Sequence, residues 1–234
     1  MKSDPKDSKK QAHTSPSPYC FMDVVAGEAE EYARGHTSPL SGLLEEIENF
    51  SLTATPYPSM LTGRVEGRFL QLIVQLSGAR RIVDIGTFTG YSALAMAEAL
   101  SGEGRILTIE RDLHFAKIAQ GFFDRSPAGA QIALRTGEAL EILRSLPDEQ
   151  TDLVFIDADK QGYAAYYRES MRILKTGGLL LTDNVLWYGR IFHPKDDDSR
   201  AIADFNELVN ADSAAERLFL TIRDGIYLIR KRAA

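Results

Sequence analysis

A single cysteine, Cys20, in a chain of 234 residues leaves no intrachain disulfide and no thiolate-rich zinc site to consider. It fits the ordinary role of a free thiol, a small apolar side chain on a helix, and the chain reads as a reduced, cytoplasmic protein. Basic charge is short as well: 27 Lys and Arg face 33 Asp and Glu, for a net charge of −6. A general binder of nucleic acid or of an anionic membrane would need the opposite field. Residues 1–18 hold Lys, Asp, Ser and Pro without an apolar core, and read as a disordered tail rather than a signal peptide or membrane span.

What is present is 44% hydrophobic residues, enough for one sizeable core. The expected unit is a single domain over residues 19–234 whose first part, 19–77, is a helical cap. Phe21, Val24, Val25 and Tyr32 suggest a helix from Tyr19 to about Arg34, stopped near Gly35. Ser38-Pro39 resembles a cap followed by proline at the first helical position, opening a helix that reaches Phe50. A loop is expected over Thr53 to Pro58, then an amphipathic helix over Val65 to Leu76.

Beyond Gly78 short apolar runs alternate with helical stretches. The runs are Arg81 to Ile85, Arg105 to Glu110, Ile132 to Arg135, Leu153 to Ile156 and Leu179 to Thr182. Alternating β and α units imply a parallel sheet covered on both faces. Arg217 to Ile222 and Ile226 to Arg230 are instead joined by Arg223-Asp224-Gly225, a connector so short that the two strands must be antiparallel. The fold is therefore α/β: a Rossmann-like, seven-stranded, mostly parallel sheet with a C-terminal antiparallel hairpin.

Asp84-Ile85-Gly86-Thr87-Phe88-Thr89-Gly90-Tyr91-Ser92 links the first strand to a helix, and its glycines would let a ligand approach the backbone at a helix N-terminus. The spacing Gly-x-x-x-Gly lacks the pattern that accommodates a dinucleotide pyrophosphate, which argues against an NAD-dependent oxidoreductase. A nucleoside without a diphosphate fits better. Glu110 closes the second strand about twenty residues on, where an acid can accept both ribose hydroxyls. Downstream, Leu153 to Lys160 and Gly178 to Asn184 each end an apolar strand in acid or amide side chains. In neighbouring parallel strands those carboxylates converge, and two like charges about 4 Å apart repel by roughly 4 kcal/mol at an effective dielectric of 20. Such convergence needs a cation, a shared proton or a catalytic purpose.

Together with Gly137-Glu138-Ala139-Leu140, these segments and Asp183-Asn184-Val185-Leu186-Trp187 resemble the cation-dependent O-methyltransferases of the caffeoyl-CoA and catechol type, from about Met60 onward. The resemblance implies a class I methyltransferase fold and S-adenosylmethionine as ligand. Its cofactor contacts carry over to Thr62, Asp84, Gly86, Ser92, Glu110, Ala139 and Asp159. Ala139 would lend its backbone amide to adenine and Asp159 would pair with the methionine ammonium. Thr62 reads equally as a helix N-cap, and Ala139 as an ordinary helix start.

The same resemblance makes Asp157, Asp183 and Asn184 ligands of a divalent ion, with Asp157 and Lys160 in the catalytic set. Hard oxygen donors suit Mg²⁺, Mn²⁺ or Ca²⁺ better than zinc. Lys160 is the candidate general base, with an electrostatic role or a plain surface charge as alternatives. Trp187, Tyr188 and Phe192 are candidates to wall the acceptor pocket. Tyr188 stands where the plant enzymes carry a substrate-contacting Asn, which weighs against caffeoyl-CoA itself. His193 reads as an exposed loop residue and Lys195 to Asp198 as solvated loop and helix cap. The expected partners are a small phenolic or catechol acceptor and a second copy of the chain. A hydroxylated tRNA nucleoside is the alternative acceptor, and a noncatalytic cofactor-binding protein the alternative from another class.

Overall fold

In a computed structural model, which describes residues 26–233, five parallel strands follow the expected order. They are β1 (Arg81–Ile85), β2 (Arg105–Glu110), β3 (Ile132–Thr136), β4 (Thr151–Ile156) and β5 (Leu174–Thr182). β6 (Ala215–Leu220) and β7 (Ile226–Lys231) complete one seven-stranded sheet in the order β3-β2-β1-β4-β5-β7-β6, and β7 runs antiparallel to both its neighbours. The tail at 1–18, Cys20 and the start of the first helix at Tyr19 lie outside the described residues.

β4 shows why this sheet is covered on both faces. Leu153 and Phe155 pack with Leu70, Val74 and Met96, whereas Val154 and Ile156 pack with Tyr163, Phe205 and Tyr227. All four strand residues are fully buried. Deleting a side chain such as Phe155 would remove about 3–5 kcal/mol of stability. The first layer comes from α3 (Gly63–Ser77) and α4 (Tyr91–Ala99), the second from α6 (Ala139–Arg144), α7 (Tyr163–Ile173) and α8 (Asp197–Ala211). A third cluster, with Leu44, Ile47, Leu94 and Phe123, joins α2 (Gly42–Ala54) and α5 (Leu113–Phe123) to α4. α1 (Gly27–His36) lies on the outside, with no buried residue. Among the described residues no helix is long and apolar enough to cross a membrane.

Several expected boundaries move. α2 is capped by Ser41, whose hydroxyl accepts from Leu44 N at 3.3 Å, and not at Ser38-Pro39. It also continues to Ala54, and Ser51, Thr53 and Thr55 each turn a hydroxyl back to the carbonyl four residues earlier, at 2.7 Å. β4 and β5 start earlier than expected, at Thr151 and Leu174, and the pairing register shifts between Thr151 and Leu153. β6 starts two residues early, so residues 221–225 join the hairpin rather than three residues alone.

Strand order turns back between β1, which leads on to β2 and β3, and β4, which leads on to β5. Ligands of open α/β sheets bind in the crevice beyond the carboxyl ends at this switch point. The glycine turn after β1 and the acidic segments after β4 and β5 all open there.

Candidate active site

A cavity of about 580 Å³ occupies that crevice. The turn after β1 forms its floor. Gly86 has φ +105°, and a Cβ there would lie 1.9 Å from the Asp157 carbonyl, so no other residue lets β1 and β4 approach this closely. Gly90, also left-handed at φ 91°, opens α4. Phe88 N donates to Glu110 Oε2 at 2.8 Å and Asp112 N donates to Oε1 at 2.9 Å. The acid at the end of β2 is thus fixed by backbone, with lone pairs left for a ribose diol.

Thr62, Gly86, Ser92, Glu110 and Ala139 line one part of this cavity. Thr62 stands at the N-cap position of α3, as its alternative reading had it, but makes no capping bond with its side chain. Ala139 is the first residue of α6, where the N–H has no partner within the helix. Asp84 is the exception. It is fully buried and set back from the cavity wall, accepting from Thr108 Oγ1 at 2.7 Å and from Ser92 Oγ at 3.3 Å. Its carboxylate is linked to the cavity wall through Ser92 and, by way of Thr108, through Thr87, and burial pushes its pKa up to about 7 against the Thr108 hydrogen bond.

Asp157, Asp159, Lys160, Asp183 and Asn184 line the other part, with Trp187 and Tyr188. Tyr166 OH donates to Asp159 Oδ1 at 2.7 Å and holds that carboxylate at the cavity edge. Lys160 is only 8% exposed. Its Nζ donates to Asn184 Oδ1 at 2.6 Å, to Tyr163 OH at 2.7 Å and to Asp157 Oδ1 at 3.1 Å. Tyr163 OH in turn donates a hydrogen bond to the Asp183 carbonyl at 3.1 Å. Three oxygens placed in this way fix the Lys160 amine at the cavity wall, beside Asp157 and Asn184.

The expected crowding of acids is real. Burial and then the Asp157 charge push the Asp183 carboxyl up to about 6, with Arg223 and Lys160 pulling the other way. No group of three or more His, Cys, Asp or Glu able to hold a metal occurs among the described residues. The donor set in question is instead two carboxylates and an amide. Asp157 Oδ1 and Asn184 Oδ1 both face one cationic point, the Lys160 nitrogen, and Asn184 holds a left-handed backbone at φ 59°. By its chemistry, two carboxylates and an amide carbonyl, this donor set fits a hard divalent ion.

One expectation about the acceptor side changes. Phe192 is 63% exposed and outside the cavity wall, whereas Trp187 and Tyr188 form it, their rings 5.3 Å apart. His193 is exposed, and Asp196 caps α8 in a reciprocal capping box with Ser199, as the acidic run suggested. Residues missed from sequence are Tyr163, Tyr166, Arg223 and Asp224. The tyrosines carried only a helical period, and the hairpin pair looked like turn chemistry.

Strand order, the glycine turn and the anchored acid after β2 together define the class I methyltransferase fold. The O-methyltransferase family profile matches residues 34–232. A probable caffeoyl-CoA O-methyltransferase from Dictyostelium discoideum is 32% identical over 225 residues, covering 93% of this chain and 98% of the relative. A catechol O-methyltransferase from Niastella koreensis is 35% identical over 175 residues, covering 73% and 79%. The crystal structure of an O-methyltransferase from Bacillus cereus in complex with S-adenosylhomocysteine superposes with a TM-score of 0.79 at 30% identity, covering 88% of this chain and 97% of that one. The chain belongs to the O-methyltransferase family.

Proposed function

We propose that this protein transfers the methyl group of S-adenosylmethionine to one hydroxyl of a small catechol-like aromatic, with a divalent cation held by Asp157, Asp183 and Asn184. The observation that carries the reading is that two carboxylates and an amide, Asp157, Asp183 and Asn184, line the same cavity as the aromatic pair Trp187 and Tyr188 and the residues of the cofactor side. The catechol O-methyltransferase among its relatives supports the acceptor class.

When bound, the donor supplies an electrophilic sulfonium methyl group and the cation lowers the pKa of the acceptor hydroxyl, which is near 10 in a free phenol. The protein's own part is binding, orientation and charge. Gly86 leaves room for the donor against the backbone, Glu110 accepts from its ribose, and Asp159, steadied by Tyr166, pairs with its ammonium. Trp187 and Tyr188 offer aromatic faces to a planar acceptor. Lys160 keeps a positive charge next to the developing phenolate, so that most of the acceleration comes from alignment and electrostatics rather than from a protein base.

Activity is expected to vanish on chelation with EDTA and to return with Mg²⁺, and catechol should outpace its mono-hydroxy analogue by at least about 100-fold. Equal rates for the two acceptors, or methyl transfer that survives EDTA, would sink the proposal. A homodimer belongs to the same reading, supported by Leu72 and Leu76 on α3, which are 46% and 83% exposed. Light scattering would show twice the chain mass.

A further inference from the structure

We infer that the turn Arg223-Asp224-Gly225 between β6 and β7 is the positioning device of the transfer site, with one arm on the donor wall and another on the acceptor wall. The inference rests on the proposed function only for the names of the two walls. Asp224 touches neither ligand space, since it is 1% exposed and lies outside the cavity lining.

The acceptor arm runs through Asp224 and Gly225. Trp187, Tyr188 and Gly189 are consecutive left-handed residues, at φ 46°, 56° and 72°. Side-chain-bearing residues hold that conformation only when their surroundings impose it. The surroundings here are the hairpin: Tyr188 N donates to Asp224 Oδ1 at 2.6 Å, Leu186 N to Asp224 O at 2.8 Å and Val185 N to Gly225 O at 3.2 Å. Gly225, at φ +82°, brings the turn so near that a Cβ would lie 2.8 Å from Leu186 Cγ. The second carboxylate oxygen of Asp224 is buried and meets no hydrogen-bond partner among the described residues.

The donor arm is the Arg223 guanidinium. It donates to the Thr62 carbonyl, to the Leu61 carbonyl at 3.0 Å and to Glu66 Oε2 at 2.9 Å. Leu61 and Thr62 line the cavity, and Glu66 is fully buried in α3. One short turn therefore sets the separation between the segment that faces the methyl donor and the aromatic residues that face the acceptor.

The arms can be cut separately. Asp224→Ala removes the acceptor of the Tyr188 bond, whereas Asp224→Asn keeps it. Arg223→Gly, which suits φ 49° at that position, removes the donor arm, and Glu66→Gln combined with it avoids a lone buried carboxylate. Trp187 is the single tryptophan of the chain, so its fluorescence reads the acceptor wall without any turnover. Asp224→Ala should red-shift that emission, raise the acceptor KM at least tenfold and scatter methylation over both hydroxyls, with S-adenosylhomocysteine affinity within twofold of wild type. Asp224→Asn should match wild type in all four. The Arg223→Gly/Glu66→Gln protein should bind S-adenosylhomocysteine at least tenfold more weakly with Trp187 emission unchanged. Wild-type emission in Asp224→Ala, or both proteins moving the same quantities together, would overturn the inference. If wild type methylates no catechol, the proposed function falls, and the emission and S-adenosylhomocysteine readouts still decide this one.

Discussion

Asp84→Asn should stabilise the protein at pH 8 by more than it does at pH 5. Asp84 is fully buried beneath the glycine turn, and burial raises its pKa from 3.8 to about 7. A shift of about 3 units corresponds to about 4 kcal/mol at 1.36 kcal/mol per unit. Its sign follows from which state loses the proton first. Above about pH 4 the unfolded chain ionises while the folded protein holds its proton, so this group lowers stability steadily until about pH 7 and by a constant amount beyond. Asparagine has no proton to lose. Its carbonyl can still accept from Thr108, and the Ser92 hydroxyl can turn to accept from its amide. Loss of hydrogen bonds to a charged group takes back about 1–2 kcal/mol, leaving a net gain of about 2–3 kcal/mol at pH 8. Urea unfolding of both proteins at pH 5, 6.5 and 8 measures the gap, which should widen by about 2–3 kcal/mol across the range. A gap that stays flat, or an Asn variant less stable at pH 8, would refute the argument. Because Asp84 stands back from the cavity, S-adenosylhomocysteine affinity should change by no more than a few-fold.

Gly86→Ala forces a Cβ to 1.9 Å from the Asp157 carbonyl, so calorimetry should detect no S-adenosylhomocysteine binding and melts should show a loss of at least about 2 kcal/mol. Near-normal binding would mean that β1 and β4 can part freely. Tyr166→Phe frees Asp159 from its 2.7 Å bond and should weaken donor affinity about 5- to 10-fold, or about 1 kcal/mol, with the acceptor KM unchanged. An effect on the acceptor instead would misplace Asp159. Lys160→Met should lower kcat about 100-fold while S-adenosylhomocysteine affinity holds within threefold. A wild-type kcat would leave Lys160 a structural charge.

Much of the architecture is legible in the order of residues because the inner parallel strands β1, β2 and β4 are largely buried on both faces and so read as mostly apolar runs. Arg81–Ile85 and Arg105–Glu110 have the expected bounds for this reason. Leu174 to Gly178 opens β5 without such a run, with Leu174 alone of the five in register with β4, so the start of β5 carries no apolar signal in the sequence. The Ser38-Pro39 signal failed because Ser41 has a tertiary partner as well, donating to Glu98 at 2.6 Å. In the site, acids at strand ends announce themselves, since charge after an apolar run is rare without cause. Arg223 reaches Glu66 across 157 positions of sequence, and Tyr163 reaches Asp183 across 20, pairings that only the folded chain creates. Asp84 shows the converse: position in a motif could not tell a ligand from the residue that braces one.

β7 follows β6 in the chain but lies inside the sheet, between β5 and β6. The last-made strand is thus an interior one, and a growing chain that has completed β1 to β6 still has an open seam beside β5. During that interval the N–H groups of Val185, Leu186 and Tyr188 have none of the acceptors they use in the finished protein. The aromatic wall of the acceptor site cannot take shape until residues 224–231 have been made, so binding of an aromatic acceptor is a property of the completed sheet and cannot guide its assembly.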